Sequence, residues 1–151
     1  MFVLAHLSDP HIGPLPRPRL AELASKRMVG YVNWLRGRSR AHRLETLDAL
    51  TRDLAAQAHD HTAVTGDGVN IALPAEFATA QAWLDRLGAP ADVTFVPGNH
   101  DAYVRAALPY WDRHWEAFMQ GDAEAARDPQ ARVARFPFVR RRGPVALVGL
   151  S

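Results

Sequence analysis

Three short runs of apolar and β-branched residues each stop at a cluster of ligating side chains, and this recurrence constrains the fold more than any other feature. Val93 to Val96 leads into Pro97-Gly98-Asn99-His100-Asp101, Phe2 to Leu7 into Ser8-Asp9-Pro10-His11, and Thr62 to Thr65 into Gly66-Asp67-Gly68-Val69-Asn70. Pro97 cannot donate to a sheet ladder, and Gly98 admits a tight turn or a positive φ that other residues resist. Each run therefore reads as a strand feeding a polar loop. In an open parallel α/β sheet, sites gather outside the carboxyl ends of the strands, so these loops converge although they lie far apart in sequence.

A chain of 151 residues, 48% hydrophobic and 23% charged, is long enough for one soluble domain with a real core. It has no cysteine. That excludes disulfides, thiolate chemistry and Cys-ligated zinc or iron–sulfur clusters, and leaves His, Asp and Asn to hold any metal. The run Met1 to Leu7 has no basic leader and is too short for a signal peptide or a membrane span, so a cytoplasmic chain is expected. Net charge is only +2, yet within residues 14–43 Arg17, Arg19, Lys26, Arg27, Arg36, Arg38, Arg40 and Arg43 face a single acid, Glu22. Such a segment either favours an anionic substrate or surface, or is a solvated helix face.

The remaining patterns give the order β, α, α, β, α, β, α, β, β, with no internal repeat and no low-complexity linker. Leu20 to Leu35 reads as a helical excursion over one edge of the site, with Tyr31 and Trp34 as packing residues rather than a substrate platform. His42 to Ala58 places Leu44, Leu47, Leu50 and Leu54 at helical spacing, an amphipathic helix that covers the sheet. Pro74 to Leu87 is a helix opened by proline and ended near Gly88. Leu108 to Gln120 reads as helix, and Val133 to Val139 and Val145 to Leu150 as strands flanking an Arg140-Arg141-Arg142-Gly143 turn.

Asp9 and His11 are alternate residues, so in an extended segment both side chains leave one face and can grip a cation. Taken singly, Asp9 is also a good turn residue beside Pro10, Gly66-Asp67-Gly68 a good turn, and Asn70 and Asn99 ordinary turn or cap residues. What favours chemistry is position, because every fragment follows a strand. The other histidines fit less well. His59-Asp60-His61 precedes the strand that ends before Asp67, and a rise of ~3.3 Å per residue puts His61 roughly 15–20 Å from Asp67. His114 reads as a packing or surface histidine, and His6 and His42 carry no assigned role.

Asp9-Pro10-His11, Gly66-Asp67-Gly68-Val69-Asn70 and Gly98-Asn99-His100-Asp101 together resemble the first three signature blocks of the calcineurin-like metallophosphoesterases, in the family's order, and most closely its phosphodiesterase-type branch. The resemblance covers Phe2 to Ser151. It implies an α/β fold, a metallophosphoesterase-type β-sandwich flanked by helices, with a βα(α)βαβα order in this chain. It further implies that Asp9 and His11 bind a first divalent metal, that Asp67 bridges two, and that Asn99 binds the second through its amide oxygen, the metals being Mn, Fe or Zn. His100 would hold the phosphoryl oxygen or protonate the departing alkoxide, with Asp101 orienting the imidazole and favouring its charged form. The implied reaction is hydrolysis of a phosphodiester or phosphomonoester by hydroxide activated between two metals.

Gly68 departs from the family, which usually has a leucine there, so the strand–loop junction is expected to lack an apolar anchor. The family pattern also continues with an isolated histidine and a G-H-x-H block that supply ligands to both metals, and these are expected beyond Ser151. The expectation is therefore a single domain over 1–151, C-terminally truncated, that is either the first part of a phosphoesterase or a metal-binding module needing a partner's histidines. Small phosphoester substrates are expected and nucleic acid is not excluded. An apolar sheet edge near Val145 to Leu150 points to self-association.

Overall fold

The computed structural model describes residues 1–38, 44–122 and 136–151. Its centre is a parallel sheet in the order β1-β2-β3, formed by β1 (Leu4–Ser8), β2 (His61–Thr65) and β3 (Val93–Val96). Leu4 lies opposite His61, and Thr62 opposite Val93, so the three carboxyl ends finish level. Val64, Val93 and Phe95 are fully buried, as strands covered on both faces require. β1 alternates between exposed and half-buried residues.

Among the described residues, three α-helices lie between β1 and β2. The expected helix from Leu20 to Leu35 is broken into α1 (Leu20–Leu23), α2 (Arg27–Asn33) and a π-helical turn (Trp34–Arg38). Ser25 causes the break: its N–H reaches back only to the Leu23 carbonyl (2.7 Å), and its Oγ accepts the Arg27 N–H (3.2 Å) to restart the helix. Leu20 and Leu35 consequently stay exposed while Leu23 is buried. Arg27 turns inward, donating to the carbonyls of Ile71 (3.3 Å) and Ala72, so this arginine belongs to the core and not to a basic surface. Arg40, His42 and Arg43 lie outside the described residues.

The third helix, α3 (Leu44–Ala56), covers the sheet less fully than its leucine spacing predicts. Leu44 and Leu50 are exposed, whereas Thr51 is buried and accepts a hydrogen bond from the Trp83 indole (3.1 Å). The packed face thus runs through Leu47, Thr51 and Leu54, with Leu47 against the core, and leaves the other two leucines at its margins. α4 (Pro74–Leu87) has the bounds expected of it, with Phe77, Ala80, Trp83 and Leu84 on its buried face. Gly88 then stops it at φ 153°, a conformation open to glycine.

The Leu108 to Gln120 region divides into α5 (Leu108–His114) and a 3₁₀ turn (Glu116–Met119). Between them, fully buried Trp115 packs on Phe77 and Phe95, each at 4.8 Å between ring centroids. The chain closes in an antiparallel hairpin, β4 (Phe138–Arg142) and β5 (Val145–Gly149). Residues 133–135 lie outside the described residues, and the triple arginine proves to be strand rather than turn, which falls at Gly143-Pro144. Arg140 is only 3% exposed because its guanidinium binds the carbonyls of Pro90, Val93, Ala117 and Gln120. Burial, with Arg142 beside it, draws its pKa down to about 10. Val148 and Leu150 are exposed. Among the described residues no helix is long and apolar enough to cross a membrane.

His61 sits at the amino end of β2, 1% exposed, with Nε2 against Thr94 Oγ1 (2.8 Å). Burial, then the charges of Arg142 and Arg140, lowers its pKa from 6.5 to about 4. The unfolded state therefore binds more protons between those values, and stability falls as pH drops through that window. Thermal denaturation of the chain and of His61→Leu across it should show a shallower pH dependence in the variant. Equal slopes would contradict this.

Candidate metal centre

The strand pairing does not stop at the strand ends. Asp9 N–H bonds the Thr65 carbonyl, His11 N–H that of Asp67 and Ile12 N–H that of Gly68, each at 3.0 Å, while Gly66 N–H bonds the Val96 carbonyl at 2.9 Å. The three polar loops are thereby held side by side. Asp9 and His11 do not occupy the extended segment expected of them: both are left-handed, at φ 50° and 40°. Such conformations cost about 1–3 kcal/mol each in ordinary residues, and here the flanking ladder bonds hold them.

Asp9, His11 and Asp67 each offer a ligand atom within 4.8 Å of the others. His11 Nε2 stands 3.7 Å from Asp67 Oδ2. Two metal–ligand bonds of about 2.1 Å span at most about 4.2 Å, so this pair fits one cation directly and the whole group needs only slight closure. His11 Nδ1 faces the Val69 carbonyl at 3.2 Å, which places the ring proton on Nδ1 and leaves Nε2 as the metal-binding nitrogen. The donors, two carboxylates and an imidazole, suit Mn, Fe or Zn.

The His100 ring lies 5.0 Å from that of His11, edge to face. Its backbone N–H donates to Asp67 Oδ1 (2.7 Å), and its Nδ1 meets the Asn70 carbonyl. Tyr103 stacks on the same ring at 5.6 Å. Asn99 is exposed, one residue before the N–H that Asp67 holds. Asp101 is fully buried, and its carboxylate accepts the N–H groups of Gly68 (3.2 Å), Val69 (2.9 Å) and Gly98 (2.9 Å). It acts on the backbone of two loops, where an imidazole partner was expected. Burial pushes its pKa up to about 7 against the pull of those donors, with Asp67 adding to the rise.

These loops, with an Asp–His–Asp group at their centre, lie in a chain whose residues 2–141 match the family model of the calcineurin-like phosphoesterases. The chain belongs to that family. No curated protein and no solved structure matches it.

In this calcineurin-like phosphoesterase the glycines of the site serve close approach. A Cβ on Gly98 would stand 2.3 Å from Asp67 Oδ1 and 2.8 Å from its backbone nitrogen, and no positive φ accompanies it. The residue is needed for space, not for the turn. Gly98→Ala should displace the Asp67 carboxylate and weaken Mn²⁺ binding by about tenfold or more, the scale on which disturbed outer-shell contacts act; unchanged affinity in calorimetry would contradict that. Gly68, where the junction was expected to lack an apolar anchor, lies against the Phe95 ring, 3.3 Å from where its Cβ would stand.

One supporting residue escaped sequence reasoning, and another, Asn70, reads in the sequence only as a turn or cap residue. Buried Glu76 accepts the N–H groups of Asn70 (2.6 Å), Ile71 (3.3 Å) and Leu73 (2.8 Å), and burial raises its pKa. Its signal was present, a glutamate in the first turn after the Pro74 that opens a helix. Asn70 joins the first two loops, its Nδ2 donating to the Ile12 carbonyl at 3.0 Å. Other described histidines have partners of their own: His6 meets Thr65, His59 meets Gln57 and Thr62, and His114 meets Gln81. A cavity of about 650 Å³ lined by Arg17, Arg19 and Glu22 includes none of Asp9, His11 or Asp67.

Proposed function

We propose that the chain hydrolyses phosphoesters, phosphodiesters in particular, at a centre built on Asp9, His11 and Asp67, with cytoplasmic small molecules as substrates. The carrying observation is that these residues, from the loops after β1 and β2, bring ligand atoms within 4.8 Å of one another in a member of the phosphoesterase family. Asp67 is the residue to serve two cations, since one oxygen stands beside His11 in the first loop and the other accepts the His100 N–H of the loop that carries Asn99. Asn99 is the donor for the second. Bound Mn²⁺, Fe or Zn would supply Lewis acidity, lowering the pKa of water and offsetting negative charge on the phosphoryl oxygens.

The chain's own residues do the rest. His11 is held by the Val69 carbonyl in the tautomer that ligates. His100, its Nδ1 against the Asn70 carbonyl, gains and loses its second proton at Nε2, the nitrogen that protonates the leaving alkoxide. Asp101 positions both loops through their backbone, so its influence on His100 is geometric.

His100→Ala should slow Mn²⁺-supported hydrolysis of alkyl phosphodiesters by about 10²–10⁴-fold, the range of general acid catalysis, and that of nitrophenyl esters far less. Equal losses for both would reject the acid role. A second reading rests on the same triad, which suffices for one cation: the chain binds metal but turns over only with donors from outside the described residues. It predicts Mn²⁺ binding without hydrolysis.

A further inference from the structure

Beside the metal-ligand group lies a cavity of about 310 Å³, lined by His11 and Asn70 from the site loops, by Pro14 and Trp34, and by Leu44 and Glu45 at the start of α3. Trp34 also packs on the Leu15, Ile71 and Leu73 cluster, so the indole is backed by core on one side and borders the cavity on another. We propose that this cavity receives the alcohol side of the scissile ester and selects a planar aromatic ring over a polyol or a second phosphate. The inference rests on reading His11 as a ligand of the hydrolytic centre.

His11 belongs to both spaces, so a phosphoryl group held at the ligand triad has its ester substituent directed to the neighbouring cavity. The volume is ample, because a cavity of about 150 Å³ already takes benzene. Trp34, Pro14 and Leu44 present apolar surface, against which a ring stacks or packs while a glycerol or sugar would give up hydrogen bonds to water without replacement. Glu45 places a carboxylate in the wall, and a second phosphate entering there meets like charge. An aromatic ring carrying hydrogen-bond donors meets an acceptor instead.

Phenylphosphonate and methylphosphonate, neither of them hydrolysable, provide the test on the full chain by calorimetry, with Mn²⁺ and again with chelator. The phenyl compound should bind roughly tenfold more tightly, a preference on the scale of one stacked ring. Trp34→Ala should erase that ratio and Trp34→Phe restore most of it. Should Trp34→Ala fail to fold, Leu44→Glu, an acid at a helix start where it is tolerated, should also reduce the ratio. Equal affinities in the unsubstituted chain, no binding of either compound, or a ratio unchanged in the folded variants would overturn the proposal. The metal reading is separable: a phenyl preference that persists while both affinities ignore Mn²⁺ would sink the hydrolytic centre and leave the ring selectivity standing.

Discussion

Asp67→Asn is expected to lower Mn²⁺-dependent hydrolysis of bis(4-nitrophenyl) phosphate by about a thousandfold, since charge stabilisation by a catalytic metal is worth several kcal/mol and each 1.36 kcal/mol is tenfold in rate. The substitution is nearly isosteric and keeps an oxygen for the His100 N–H, now 2.7 Å from Oδ1. The fold should therefore survive, with an unchanged far-UV spectrum and little change in Tm. What disappears is the anionic group that stands 3.7 Å from His11 and is 6% exposed. Without that charge, His11 and Asp9 are left as a carboxylate–imidazole pair. A folded Asp67→Asn chain that kept activity within tenfold would show that the carboxylate is not the centre of the site.

Asp101→Ala should destabilise the fold by about 3 kcal/mol or more, because a buried donor deprived of its acceptor costs about 1–3 kcal/mol. Three N–H groups depend on this one carboxylate, from Gly68 and Val69 in one loop and Gly98 in the other. Urea unfolding should show a lower midpoint with the same m-value, and Asp101→Asn, which retains one acceptor oxygen, should fall between. Because Gly98 stands against Asp67, loosening this tie also disturbs the proposed ligand geometry, and Mn²⁺ affinity should fall in step. A loss below about 1 kcal/mol, the net worth of a single ordinary hydrogen bond, would mean that these donors find other partners.

The sequence carried the parts of this architecture that repeat or follow a period. The three strand-to-loop junctions were visible because apolar runs end abruptly, and α4 because proline opens it and glycine closes it. What it concealed is where long polar side chains go. Arg27 and Arg140 stand in basic runs that read as solvated or as turn, yet each enters the core to satisfy carbonyls contributed by distant segments. Nothing local to an arginine records that a carbonyl 44 or 47 residues away lacks a donor. Asp101 was hidden in the same manner, since its neighbour His100 suggested a side-chain partner while the backbone of another loop supplied the donors. The left-handed turns at Asp9 and His11 come from ladder bonds to the Thr65–Gly68 segment, which spacing alone does not reveal.

The most direct test of the metal centre is calorimetric titration of this chain with Mn²⁺. Saturable binding of at least one cation per chain, reversed by chelator and matched by the onset of phosphodiester hydrolysis at the same Mn²⁺ concentration, is the predicted result. Absence of saturable binding, or hydrolysis that persists undiminished in chelator, would contradict it.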